Sequence, residues 1–154
     1  MMIIHPMNDP TAGETSEATT FRVHPIGRVS SALKDRKNAP RQPDEGAPPA
    51  TLVFERAYVE ALDGLRPGDE VIVVTWLHRA ARDVKRVTPR RDPARGEMGV
   101  LATRSPDRPN PIGLHQVVIE SIDGPYVRVR AIEAIDGTPI LDVKPLLCPD
   151  VEGR

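Results

Sequence analysis

The sequence predicts an all-β domain, a small single-sheet antiparallel β-barrel with long proline-rich loops, and three observations lead there. The C-terminal half runs in short apolar-alternating stretches punctuated by Asp123-Gly124 and Asp136-Gly137, and Asp-Gly pairs favour the positive φ of tight type I′ hairpin turns. Val71 to Trp76 (VIVVTW) is a β-branched run with no polar residue before Thr75, which reads as a central strand buried on both faces. Seventeen prolines in 154 residues imply many loops and turns, and neither a βαβ rhythm nor a G-x-G-x-x-G turn appears, so nothing supports a Rossmann-type nucleotide fold.

Taken in order, residues 1–20 are polar and broken by Pro6, Pro10 and Gly13, and they read as a flexible tail. The domain is expected over residues 21–148, with 149–154 a second tail. Phe21 to Val29 is compatible with a first strand. Residues 39–50 hold Pro40, Pro43, Gly46, Pro48 and Pro49, which forbid a regular element and make a long loop. Leu52 to Phe54 leads into a short segment ending at the turn Leu65-Arg66-Pro67-Gly68-Asp69, and the VIVVTW strand follows. Further strands are expected over Gly99 to Thr103, Val117 to Ile122, Tyr126 to Ile135 and Ile140 to Val143. In Tyr126 to Ile135 the alternation puts Val127 and Val129 inward and Arg128 and Arg130 outward, then slips phase at Ala131-Ile132, as at a β-bulge.

Composition excludes some functions and leaves others open. The 21 basic and 22 acidic side chains nearly cancel, so attraction to a polyanion has to come from local clustering. One cluster exists: Arg79, Arg82, Lys85, Arg86, Arg90, Arg91 and Arg95 face only Asp83, Asp92 and Glu97 between residues 79 and 97, a pattern suited either to phosphates or to a charged surface loop. Cys148 is the sole cysteine, so no intramolecular disulfide forms, and it matches no zinc spacing with His5, His24, His78 and His115. No apolar run approaches the ~20 residues of a membrane span, and a cytoplasmic protein without metal is expected.

Two segments carry candidate chemistry. Residues 102–115 (ATRSPDRPNPIGLH) set Arg104 and Arg108 around Ser105-Pro106-Asp107, and Pro106, Pro109 and Pro111 stiffen the backbone, so polar side chains are presented without a large ordering cost. Residues 133–144 (EAIDGTPILDVK) contain Asp136, readable as a general base or as a turn residue chosen for its backbone. His78, just past the buried strand, is a base, a ligand contact or a rim histidine. No serine sits in a nucleophile elbow.

The stretch GVLATRSPDRPNPIGLHQV, followed by IDGTPILDVKP and preceded by HPIG and APRQP, resembles the TsaA-like (YaeB-type) family over residues 21–146, with four motifs in the same order. The resemblance implies a single-sheet β-barrel that binds S-adenosylmethionine, forms a homodimer, and N6-methylates threonylcarbamoyladenosine beside the tRNA anticodon. Matched motif by motif, it implies cofactor contacts at Pro40, Arg41 and Gln42, at His78 and Arg79, at Arg104 and Leu114, and at Glu133, Ala134, Ile135 and Asp136. Asp136 or His78 is the candidate base, and Arg86, Arg90, Arg91 and Arg108 are the candidate RNA contacts. Departures lie at Ser30, where the family's first strand ends in Arg-Ser-Pro, at Glu70 in place of a histidine, and in the basic segment. They bear on the acceptor more than on the cofactor, so another RNA nucleoside, a small molecule, or binding without turnover stay as alternatives.

Overall fold

The computed structural model describes residues 19–147. Cys148 and most of both expected tails lie outside the described residues. Among the described residues there are eight strands: β1 (Gly27–Ser30), β2 (Ala50–Phe54), β3 (Glu70–Trp76), β4 (Arg86–Val87), β5 (Met98–Gly99), β6 (Ile112–Asp123), β7 (Tyr126–Val129) and β8 (Pro139–Pro145). Six of them form one antiparallel sheet in the order β1-β2-β7-β6-β3-β8, which closes into a barrel through β1 and β8, while β4 and β5 pair separately. Closure removes the edges of the six-stranded sheet.

The interior is aliphatic because inward positions alternate along every strand. Val29, Leu52, Val71, Val73, Ile119, Val127, Val129 and Ile140 are almost wholly buried, and Arg128 and Arg130 point outward as their alternation predicts. β3 lies centrally between β6 and β8, but only its inner face is fully buried: Ile72, Val74 and Trp76 on the outer face keep partial exposure, since a barrel has solvent on its outside.

Several elements differ from the sequence expectation. β1 begins at Gly27; Ile26 still donates to Ile140 O and accepts from Glu55 N, while Phe21 and Val23 before it are exposed. Val100–Ala102 is a 3-10 turn rather than a strand, with only Met98–Gly99 paired, to Arg86–Val87. β7 stops at Val129, and the irregularity lies in β6, between Ile119 and Ser121, where the register with β7 shifts. At the β6–β7 hairpin the central residues are Gly124 and Pro125, with positive φ at Gly124 alone, which is the type II′ pattern and not type I′. Asp136-Gly137 joins no hairpin: Gly137 has φ +79 in a turn closed by Thr138 N donating to Ile135 O, and β7 and β8 are not neighbours.

The strand order has a consequence for function. In an up-and-down sheet, the connections β1–β2, β3–β6 and β7–β8 all emerge at one end, and β2–β3 and β6–β7 at the other. Residues 31–49, 77–111 and 130–138 therefore share one mouth. The last of these crosses the mouth as a plug, with Ile132, Ala134, Ile135 and Thr138 buried.

Candidate cofactor site

Every candidate cofactor residue lies on a connection at this mouth or, for Leu114, at the first turn of β6 beside it. At the rim, three segments remote in sequence are joined by hydrogen bonds. Asp136 Oδ1 accepts from Ser31 N at 2.9 Å, its Oδ2 pairs with Lys34 Nζ at 3.0 Å, and its own N–H donates to Leu33 O. Arg79 donates to Lys34 O, and Arg36 donates in turn to Arg79 O and to both oxygens of Asp107. Asp107 Oδ1 also accepts from Ala81 N at 2.8 Å.

These contacts set the charge states. The Ser31 N–H, then the Lys34 ammonium, hold the Asp136 carboxyl below the usual carboxylate range. Partial burial alone would push Asp107 up, but the hydrogen bonds from Arg36 and Ala81 outweigh it and the net direction is down. His78 is lowered, first by partial burial and then by the positive charges of Arg79 and Arg28, so its ring is held in the neutral form.

The remaining candidates lie along the outer wall of β6. Leu114 projects outward, 48% exposed, with Ile112 beside it at 45%, and Arg104 reaches back to Leu114 O. An open hollow of about 430 Å³ there is lined by Leu101, Arg108, Pro109, Asn110, Ile112 and Leu114. Further along the same wall a second hollow of about 530 Å³ brings Gln42 alongside Gln116 and Ala131. Arg41 and Pro40 stand on the loop just before it, with Arg41 N donating to Glu45 Oε2. The structure thus gathers His78, Arg79 and Asp136 at the rim, and Gln42, Arg104 and Leu114 along the wall. Ala134 and Ile135 are buried between the strand ends, and Glu133 is mostly covered.

Among the candidate RNA contacts, Arg86 pairs with Glu97 and Arg90 with Glu45, both exposed. Arg108 is turned inward, donating to Val100 O and Thr103 O and so fixing the 100–104 loop. Sequence reasoning missed three participants. Arg36 and Lys34 tie the rim together, but only the fold puts them against Asp107 and Asp136. His115 was noted as a histidine without a role, and it lies inside the barrel, bonded to Thr75 and Glu133. Among the described residues, no group of three or more His, Cys, Asp or Glu could hold a metal ion, and no helix is long and apolar enough to cross a membrane.

The family model described as the tRNA-methyltransferase O N-terminal domain matches residues 28–149. The chain belongs to this family. It is 40% identical over 126 residues, 81% of its length and 89% of the relative's, to a probable S-adenosyl-L-methionine-binding protein of Methanothermobacter thermautotrophicus. It is 36% identical over 129 residues to the putative S-adenosylmethionine-dependent methyltransferase RcsF of Pseudomonas aeruginosa, spanning 80% of this chain but 53% of that relative. A crystal structure of tRNA-methyltransferase O from P. aeruginosa superposes with a TM-score of 0.69 at 32% identity, over 90% of this chain and 62% of that one. The chain therefore spans little more than half to three fifths of these two longer relatives.

Proposed function

We propose that the mouth of the barrel and the adjoining wall of β6 bind S-adenosylmethionine and that the domain transfers its methyl group to N6 of threonylcarbamoyladenosine in tRNA. The observation that carries the reading is the strand order, which brings three of the four family motifs, those at residues 39–43, 102–115 and 133–138, to one end of one small barrel, while the HPIG motif leads into β1 from the other end. The residues present fit such a cofactor: exposed Arg104 and Arg79 suit a methionyl carboxylate, apolar Ile112 and Leu114 offer a face for adenine, and Gln42 offers amide donors and acceptors to its edge. When bound, the cofactor supplies an electrophilic methyl group that needs no activation by the protein.

What the chain itself contributes is positioning and proton acceptance. Asp136 is a poor base here, because both of its oxygens already have donors and its carboxyl is lowered. His78, exposed at the rim and held neutral, is the better acceptor for an N6 proton. Arg86, Arg90 and Arg91, on the β3–β6 connection, would meet RNA phosphates, with Arg108 holding the loop behind them. The exposed apolar wall at Ile112 and Leu114 would bury itself in a homodimer, setting each wall against a neighbouring protomer's rim. Soluble expression in the cytoplasm follows from the same reading.

The test is transfer of labelled methyl from S-adenosylmethionine into tRNA carrying threonylcarbamoyladenosine, with tRNA lacking that modification as control. Label confined to the modified tRNA is the expected result, and no label into it despite cofactor binding overturns the acceptor assignment. A second reading, cofactor binding without turnover, is favoured by one observation: the archaeal relative covered to 89% of its length is named as an S-adenosyl-L-methionine-binding protein.

A further inference from the structure

Inside the barrel, just beneath the mouth, three polar side chains form a chain of hydrogen bonds. Thr75 Oγ1, fully buried near the end of β3, lies 2.8 Å from His115 Nε2 on β6. His115 Nδ1 lies 2.5 Å from Oε1 of Glu133, on the plug segment. The His115 side chain is 5% exposed and that of Glu133 14%. With Glu133 as a carboxylate, Nδ1 donates to Oε1 and Nε2 accepts from the Thr75 hydroxyl, which fixes the tautomer and the ring plane. Gly113, the preceding inward position on β6, makes room: a Cβ there would lie 2.4 Å from Thr75 Oγ1 and 2.7 Å from His115 Nε2.

This trio is not what a core built for stability alone would contain. Glu133 Oε2 is buried and has no hydrogen-bond partner, and an unpaired carboxylate oxygen in that position destabilises the fold relative to an apolar packing of the same volume. A locally unfavourable arrangement that persists points to a role in a site. The three residues also stand where the candidate site has its parts: Thr75 is three residues before His78, His115 follows Leu114, and Glu133 leads directly into Ala134, Ile135 and Asp136.

We propose that His115, oriented by Thr75, is a positioning residue that acts through Glu133, holding the 133–136 backbone and the Glu133 carboxylate in register with β3 and β6 for ligand binding. This rests on the cofactor reading above. The ligand groups it serves are hydrogen-bond donors, such as the ammonium, ribose hydroxyls or adenine amino group of S-adenosylmethionine. Thr75 is too deeply buried to act as a nucleophile, so the chain orients and does not attack.

Two substitutions separate positioning from bulk packing, because an asparagine amide lies near the place of Nδ1 and a glutamine amide near that of Nε2. His115→Asn keeps a donor for Glu133, and His115→Gln keeps the Thr75 bond but loses Glu133. The expected result, by calorimetry with S-adenosylmethionine and S-adenosylhomocysteine, is near-native affinity for His115→Asn and a loss of about tenfold or more for His115→Gln, the size of a charge-assisted bond. In a Glu133→Ala background, which removes the acceptor, the difference between the two should vanish. Equal affinities in the two variants, or losses that simply follow their melting temperatures, would overturn the proposal. Hydrogen exchange at the amides of residues 133–136 reads the same geometry without ligand: faster exchange in His115→Gln than in His115→Asn is expected, and equal exchange refutes it. Failure of the wild-type chain to bind either compound, with that exchange difference intact, would count against the cofactor reading and not against the relay.

Discussion

Gly113→Ala provides a quantitative check on how the top of the barrel is packed. The new methyl would meet Thr75 Oγ1 at 2.4 Å, His115 Nε2 at 2.7 Å and Leu77 Cδ2 at 2.9 Å. Since favourable contact begins near 3.5 Å, its neighbours must retreat by about 1 Å. Thr75 has no room to do so, being fully buried in a strand paired on both sides. Overpacking of this kind destabilises by about 1–3 kcal/mol. Disruption of the Thr75–His115 bond adds about 0.5–1.5 kcal/mol. The loss of glycine freedom in the unfolded chain returns only about 0.4–1 kcal/mol. A net loss of about 2–3 kcal/mol corresponds to a melting temperature lower by roughly 5–10 °C for a domain of this size. Gly99→Ala is the control, because its methyl would meet nothing within 4 Å and the backbone there, at φ −60, accepts any residue. Thermal and urea unfolding followed by circular dichroism measure both. A Gly113→Ala melting point within about 2 °C of wild type would refute the packing described here.

Other expectations concern the rim and the basic segment. His78 is lowered in the folded state, so the unfolded chain takes up its proton first: stability contributed by the neutral ring is present above its ordinary value of about 6.5 and declines as pH falls through that region, and His78→Gln should flatten this slope in unfolding experiments between pH 5 and 7. Asp107 is lowered in the folded state, so its contribution is present above about pH 3.9 and is lost as pH falls through the lower folded value; Asp107→Asn should lessen the acid sensitivity of melting below pH 4. Arg36→Ala removes the clamp between Asp107 and the Arg79 carbonyl, and because that pair is partly exposed the global change should stay within about 1 kcal/mol while amide exchange rises locally at residues 79–81 and 105–108. If the basic connection meets RNA, Arg86→Ala with Arg90→Ala should reduce the slope of log affinity against log salt by about 1.4, measured by fluorescence anisotropy on tRNA, and an unchanged slope would remove both from the interface.

How much of this was legible beforehand depended on whether the signal was local. The alternation of Val127 and Val129 with Arg128 and Arg130 and the proline-rich loops are encoded in neighbouring residues and appear as read, and the VIVVTW run is the strand it was read as, but with its outer face partly exposed and not buried. Turn type was half legible: Asp-Gly marked a reversal twice, yet at Gly124 the following Pro125 fixes φ negative and forces type II′, and at Gly137 the chain reverses into a partner that lies far away in sequence. Gly99 to Thr103 carries the composition of a strand but has a pairing partner only at its start, so a 3-10 turn takes over. For the site, the motifs were visible and their separation between rim and wall was not.

The sequence by itself determined the class of fold, the loops that carry the candidate contacts and the family, because periodicity, proline placement and motif order are properties of the chain read in one dimension. Only the tertiary structure decided that three long connections share one mouth, that Lys34 and Arg36 fasten Asp136 and Asp107, and that His115 is an interior group bonded to Thr75 and Glu133. The physical reason is that these pairings span 18 to 102 residues of chain. Nothing local selects the partner of a lone charged or imidazole side chain, and closure of the sheet does.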